Sequence, residues 1–397
     1  MPQISDRLQR MPSSPIRKLV PFADTAKARG THVYHLNIGQ PDIETPTEWW
    51  DAIQQADMKV LAYSHSAGRA SLREAIIRYY RRLGHNIKMA DVIVTTGASE
   101  ALRFVMDSCL NPGDEIIVPE PFYANYNGFA IAGDSKVVPI TTSIDQNFAL
   151  PPIEAFEELI TPKTKAILIC NPGNPTGVVY GEESMKKLRD IVAKHDLYLI
   201  SDEVYREFIY DGPDHYSALA LEGIEENVIV TDSVSKRFSA CGARIGTIIS
   251  RNSAVIDACM KLAQARLAPP TMEQIGAEAV YDLPLDYYEK VKGEYFERRN
   301  FLVKALNEIP GVFCPEVNGA FYAFVRLPVE DSEHFCQWML ESFEYEGATT
   351  MMAPGAGFYA SPDLGKDEVR MAYVLNNKDL AKAIKCLAEG LKAYKNR

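Results

Sequence analysis

Val228-Ile-Val-Thr-Asp-Ser-Val-Ser-Lys236 begins as an apolar, β-branched run and ends in hydroxyls and an amine. Four such residues in a row, with no polar alternation, predict a strand buried on both faces. The pattern repeats in both directions along the chain. Val92-Ile-Val-Thr-Thr96, Glu115-Ile-Ile-Val118, Ala166-Ile-Leu-Ile-Cys170, Tyr198-Leu-Ile-Ser201 and Gly246-Thr-Ile-Ile249 are similar runs bounded by turn residues. Helical stretches separate several of them. Ser71–Leu83 sets Leu72, Ile76, Tyr79, Tyr80 and Leu83 on one face, and Glu182–His195 does the same with Met185, Leu188 and Val192. Buried strands joined by helices predict an α/β fold with a largely parallel sheet and right-handed crossovers.

The ends differ from this middle. Pro12, Pro15 and Pro21 break up the first residues before a helix near Phe22–Arg29 and a strand at Val33–Asn37. After a long charged helix, Asp286–Ile309, strands are expected at Val312–Cys314 and Ala320–Leu327. Helices follow at Ser332–Glu346 and Leu380–Tyr394. The division expected is a large domain over 49–285 and a smaller α+β domain formed by 1–48 with 286–397.

The 397 residues are 47% hydrophobic and carry a formal net charge of -11, which suits a large globular core and argues against a nucleic-acid-tracking surface. No run of about 18 apolar residues predicts a membrane span, and the first residues lack the apolar stretch of a secretory leader. Seven scattered cysteines without a CxxC pair fit reduced thiols in the cytoplasm, and no metal site is expected.

Ligands of open α/β sheets bind beyond the carboxyl ends of the strands, and four strand ends here deliver polar groups. Gly97-Ala98-Ser99 follows the first run and Asn171-Pro-Gly-Asn174-Pro-Thr-Gly177 the third. Asp202 and Tyr205 follow the next, and Ser233, Ser235 and Lys236 follow Val228–Thr231. No GxGxxG or Walker loop is present, which counts against a dinucleotide or P-loop site.

Asn174-Pro-Thr-Gly, Asp202-Glu-Val-Tyr205, Ser233-Val-Ser-Lys236, Arg244-Ile-Gly246 and Val369-Arg370-Met-Ala-Tyr stand in the order and spacing of class I aminotransferases. The chain resembles these aspartate-aminotransferase-like pyridoxal-phosphate enzymes of fold type I from about residue 12 to its end. Leu36-Asn-Ile-Gly39-Gln-Pro-Asp and Tyr63–Arg73 share the likeness.

The resemblance implies pyridoxal 5'-phosphate as cofactor and a role for each matching residue. Lys236 forms the imine with the cofactor and moves the proton during reaction. Asp202 pairs with the protonated ring nitrogen, although an Asp after a strand is also a common helix cap. Asn174 and Tyr205 hydrogen-bond the ring oxygen, with Asn174 also reaching the substrate carboxylate. Asn171, by contrast, reads as turn chemistry. Gly97, Ala98 and Ser99 offer helix N-terminal amides to the phosphate, joined by Ser233, in preference to Ser235, and by Arg244. Tyr123 matches the residue that stacks on the ring, with Phe122 or Tyr126 as alternatives. Tyr63 matches a tyrosine that crosses a homodimer interface to the neighbour's phosphate.

An arginine in the apolar Val369–Val374 context needs an anion, and the resemblance makes that the substrate α-carboxylate at Arg370, against a structural ion pair. Gly39 would let a backbone amide approach the same carboxylate. The implied activity is ping-pong transfer of an amino group between an L-amino acid and a 2-oxo acid, aspartate with 2-oxoglutarate first. Aromatic, alanine or branched-chain aminotransferase and carbon–sulfur lyase activities are the alternatives. Some bacterial relatives carry a lysine where this chain has Ser99. Other branches read a distal carboxylate with an arginine of the partner chain near Ala265-Arg266-Leu267, which makes Arg266 a candidate, and Ile16 aligns with a residue at the substrate mouth.

Overall fold

The computed structural model describes residues 2–397. Seven strands form the central sheet: β1 (Val92–Thr95), β2 (Glu115–Glu120), β3 (Lys136–Thr141), β4 (Thr164–Cys170), β5 (Tyr198–Asp202), β6 (Val228–Ser233) and β7 (Gly246–Ser250). Their spatial order is β1-β7-β6-β5-β4-β2-β3. All pairs are parallel except those made by β7, which runs antiparallel to both β6 and β1. The expectation of a mostly parallel α/β sheet therefore holds, with one reversed strand. The link from β6 to β7, residues 234–245, holds two short helical turns, Val234–Arg237 and Cys241–Ala243, and no helix long enough to span the sheet. A parallel return usually needs such a crossover helix, so the chain doubles back instead.

Alternate residues of these strands feed two apolar layers. Ile117, Ile167, Ile169, Leu199, Val228 and Val230 pack with the helices at Ala70–Arg82, Glu182–His195 and Thr271–Tyr281. Ile116, Leu168, Ile200, Ile229 and Ile248 pack against Gly97–Cys109 and Ser253–Arg266 on the opposite face. Each such side chain contributes about 1.5–3 kcal/mol when fully buried, which explains the unbroken apolar runs.

The rest of the chain builds a second unit. Tyr322–Arg326 (β8) and Glu368–Ala372 (β9) pair antiparallel, with Ala353–Pro354 on the far side of β9. His32–His35 pairs in parallel with Ala348–Met351. Helices Leu285–Asn307, Ser332–Glu341 and Asn377–Lys395 cover these strands. Leu19, Val33 and Leu36 share one apolar cluster with Phe335, Met339, Val369 and Leu387.

Two expectations change here. The helix expected over 332–346 stops at Glu341, where Ser342 leaves helical geometry with a φ of -127°, and Glu346 and Gly347 then take positive φ and turn the chain into the strand at Ala348. Val312–Cys314 contributes a single bridge, Phe313 to Arg326, in place of a strand.

Candidate active site

β1 runs in the same direction as β4, β5 and β6, so the four polar strand ends meet at one edge of the sheet. They open into a cavity of about 640 Å³ whose lining includes Gly39, Ala98, Ser99, Tyr123, Asn174, Asp202, Tyr205, Ser233, Ser235, Lys236, Arg244 and Arg370. Two of the expected residues lie elsewhere. Gly97 sits beneath Arg244, where a Cβ would overlap the guanidinium, and its φ of +76° adds a second reason for glycine. Tyr63 is 81% exposed, outside the cavity of its own chain.

Asp202 ends β5 and is only 4% exposed. Its Oδ2 accepts a hydrogen bond from the Tyr126 hydroxyl at 2.7 Å, while its buried Oδ1 has no partner among the described residues. Burial pushes its carboxyl up to about 6. The Tyr126 hydroxyl and the Val204 amide draw it partly back down, but no helix follows for Asp202 to cap, and the unpartnered Oδ1 favours a cationic partner. Tyr126 is thus a support for Asp202, and Tyr123 is the aromatic residue that faces the cavity, its ring edge-on to Tyr126 at 5.5 Å.

Lys236 lies in the turn after β6, and its Nζ donates to the Gly39 carbonyl at 2.9 Å. The turn is fixed by Ser233, whose Oγ accepts from the Ser235 amide at 3.0 Å and lies 2.9 Å from the Ile245 carbonyl. Arg237, next to Lys236, is locked by its ion pair to buried Asp232 at 2.6 Å. Arg244 takes a left-handed φ of +57° and leaves most of its donors free, with Nη1 donating to the Cys241 carbonyl at 3.0 Å. Together with Ala98 and Ser99 at the start of the helix Gly97–Cys109, these hydroxyls and the guanidinium form a cradle suited to a phosphate.

Arg370 lies mid-strand in β9 and is 1% exposed. It donates to Asn174 Oδ1 at 3.0 Å and to the Asn37 carbonyl at 2.6 Å, and its buried Nε has no partner. No carboxylate among the described residues pairs with it, so the structural ion pair weighed above is not formed. Burial pushes the guanidinium below its ordinary value. An incoming carboxylate would recover that loss.

Tyr322, which sequence reasoning passed over, stacks under Arg370 at 4.5 Å and sits 3.0 Å from the Tyr205 hydroxyl. It also explains Gly39, since any Cβ there would overlap the Tyr322 ring. The glycine makes room for a side chain, and its carbonyl accepts from the lysine. Neither Tyr322 nor Tyr126 carries a local signal, because their partners lie 117 and 76 residues away.

Asn171 behaves as a structural residue, exchanging hydrogen bonds of 2.9 Å with both backbone groups of Tyr180. Arg266 lies outside the cavity of its own chain. It pairs with Glu100 at 3.0 Å and donates to the Ser66 carbonyl, so its charge is already committed within the chain. Ile16 does line the cavity, and so does Arg17 beside it.

Comparison with known proteins places this geometry in a family. The profile described as aminotransferase class I and II matches residues 31–387. An aspartate aminotransferase of Pyrococcus horikoshii is 32% identical over 99% of this chain and 98% of its own length. Aromatic-amino-acid aminotransferase 2 of Thermococcus litoralis is 30% identical over 99% of both. The solved structure of a Thermus thermophilus aspartate aminotransferase mutant superposes with a TM-score of 0.90 at 28% identity, covering 98% of this chain and all of that one.

Proposed function

This chain belongs to the class I and II aminotransferases, and from that premise we propose that it binds pyridoxal 5'-phosphate and exchanges an amino group between an L-amino acid, aspartate first, and 2-oxoglutarate. Asp202 carries the reading: a buried carboxylate with one unpartnered oxygen, facing the lysine's cavity, suits a cationic ring nitrogen better than any group of the chain. When bound, that cofactor supplies an electron-poor ring that stabilises the charge left as the substrate Cα loses its proton.

The chain's own residues supply the rest. Arg370 and Asn174 grip the α-carboxylate, which fixes Cα relative to the Lys236 amine. The Lys236 amine would hold the cofactor and, once freed by the substrate amine, would carry the proton at Cα. Tyr205 would hydrogen-bond the ring oxygen, Tyr123 would stack on the ring, and Gly97, Ala98, Ser99, Ser233 and Arg244 would hold the phosphate. Tyr63 of a second copy completes the phosphate site in a homodimer. Residues 49–285 act as the cofactor-holding domain, with 1–48 and 286–397 closing over it. No described helix is long and apolar enough to cross a membrane, and seven thiols suit a cytoplasmic enzyme.

The test is a panel of half-reactions with aspartate, glutamate, alanine, tyrosine and leucine. Conversion of bound cofactor to its amine form, with release of the matching oxo acid, is expected. It should fall by at least roughly a thousandfold in Lys236→Ala, with loss of the near-visible absorbance. Pyruvate release without an acceptor would identify a lyase instead.

A further inference from the structure

The cavity is lined by four cations, Arg17, Lys236, Arg244 and Arg370, against one carboxylate, Asp202. Three of the cations have work in the reading above. Arg17 has none, and its side chain makes no hydrogen bond or ion pair among the described residues. Its neighbour Lys18 is different, being paired with Glu333.

Arg17 is not on a loose tail. The Arg17 and Lys18 amides both donate to the Ser14 carbonyl, closing a turn at 3.1 and 2.9 Å. Pro15 packs on Gly357, where a Cβ would overlap it, and Leu19 is buried in the apolar cluster of the second unit. Asn37, fully buried, donates its Nδ2 to the Ile16 carbonyl at 2.9 Å. The carbonyl of the same Asn37 receives Arg370 at 2.6 Å. One hydrogen-bonded relay therefore sets the turn bearing Arg17 relative to the guanidinium that faces the α-carboxylate. Ile16, Ile38 and Leu102 also line this cavity and offer apolar contact to a short carbon chain.

We infer that Arg17 receives the second carboxylate of the substrate, so that the site selects dicarboxylic amino acids and their oxo acids. The substrate class rests on the transaminase reading, whereas the two-cation recognition can be measured without turnover. An exposed cation lining the same cavity as a first carboxylate site favours a ligand with two anionic ends, and a guanidinium binds such an end through paired donors. Arg17 would fill the role for which Ser99 has no charge and Arg266 is already committed.

The experiment uses the holoenzyme and titrates succinate and butyrate, four-carbon acids with two and one carboxylates, by calorimetry. Wild type should bind succinate at least about tenfold more tightly than butyrate. Arg17→Gln should abolish that preference, Arg17→Lys should retain part of it, and Lys18→Gln, with the same change of net charge, should leave it intact. Equal affinity for the two acids in wild type overturns the assignment. So does a preference that survives in Arg17→Gln or is lost equally in Lys18→Gln. Half-reactions then add a second readout. Arg17→Gln should lower kcat/KM for aspartate about tenfold or more and leave alanine within about twofold. If no amino acid reacts, the transaminase reading fails, while the succinate preference still decides the role of Arg17.

Discussion

Asp202 has the clearest consequence in pH. Burial raises its carboxyl to about 6 in the folded chain, against an ordinary value of 3.8. An acid with a raised folded value binds its proton where the unfolded chain has already released it. Its contribution to stability is therefore full below about pH 4 and is lost as the pH rises through about 6. Above that, the unpaired carboxylate costs on the order of 3 kcal/mol, which a cation beside Oδ1 would offset. The cofactor should consequently raise Tm more at about pH 7.5 than at about pH 5. In Asp202→Asn the gain should be smaller and should lose that increase with pH. Thermal scans of the apo and loaded forms at the two pH values measure both. An equal pH-dependent gain in wild type and Asp202→Asn would remove the pairing from the account.

At the scale of elements, the proposed phosphate cradle depends on how closely β7 approaches the helix Gly97–Cys109. A Cβ on Gly246 would meet the backbone of Gly97 and Ala98, and backbone cannot swing aside as a side chain can. Gly246→Ala should cost about 1–3 kcal/mol and weaken cofactor binding, because the helix N-terminus must shift. Gly242→Ala, in the same loop but with open space around it, should stay within about 0.5 kcal/mol of wild type. Chemical denaturation and cofactor titration of the two variants check this.

The same junction marks what could be read from sequence. The buried strands were legible because burial on both faces writes an apolar run, and the polar residues at their ends follow from the sheet's geometry. The reversal of β7 was not, since Gly246-Thr-Ile-Ile reads alike in either direction and only the short connection from Lys236 decides it. The end of the helix at Glu341 was obscured by Phe343 and Tyr345, which continue its apolar spacing past the turn. Lys236, Asp202 and Arg370 announced themselves as charges in apolar company. Tyr126, Tyr322 and the Arg266–Glu100 pair did not, because each depends on a partner distant in sequence.

For the molecule as a whole, the most telling surface lies around Tyr63. Val60 and Leu61 are 75% and 66% exposed beside it, and Leu267, with a φ of +85°, is half exposed at the end of the Ser253–Arg266 helix. The segment is nonetheless anchored, by Thr271 to the Ala62 carbonyl, Gln274 to Ser64 and Arg266 to the Ser66 carbonyl. An ordered apolar stretch left in water is a surface that a second copy can cover. If that copy also receives Tyr63 at its phosphate, the active site belongs to the pair of chains, and complementation can reveal it. Lys236→Ala should be inactive, and Tyr63→Ala should bind the cofactor about tenfold or more weakly and turn over slowly at limiting cofactor. When the two are unfolded and refolded together, half of the dimers are mixed and one site in each mixed dimer has both residues intact. Activity at limiting cofactor should then recover to about a quarter of wild type. Tyr63 acting within its own chain predicts no gain above the average of the two variants measured separately.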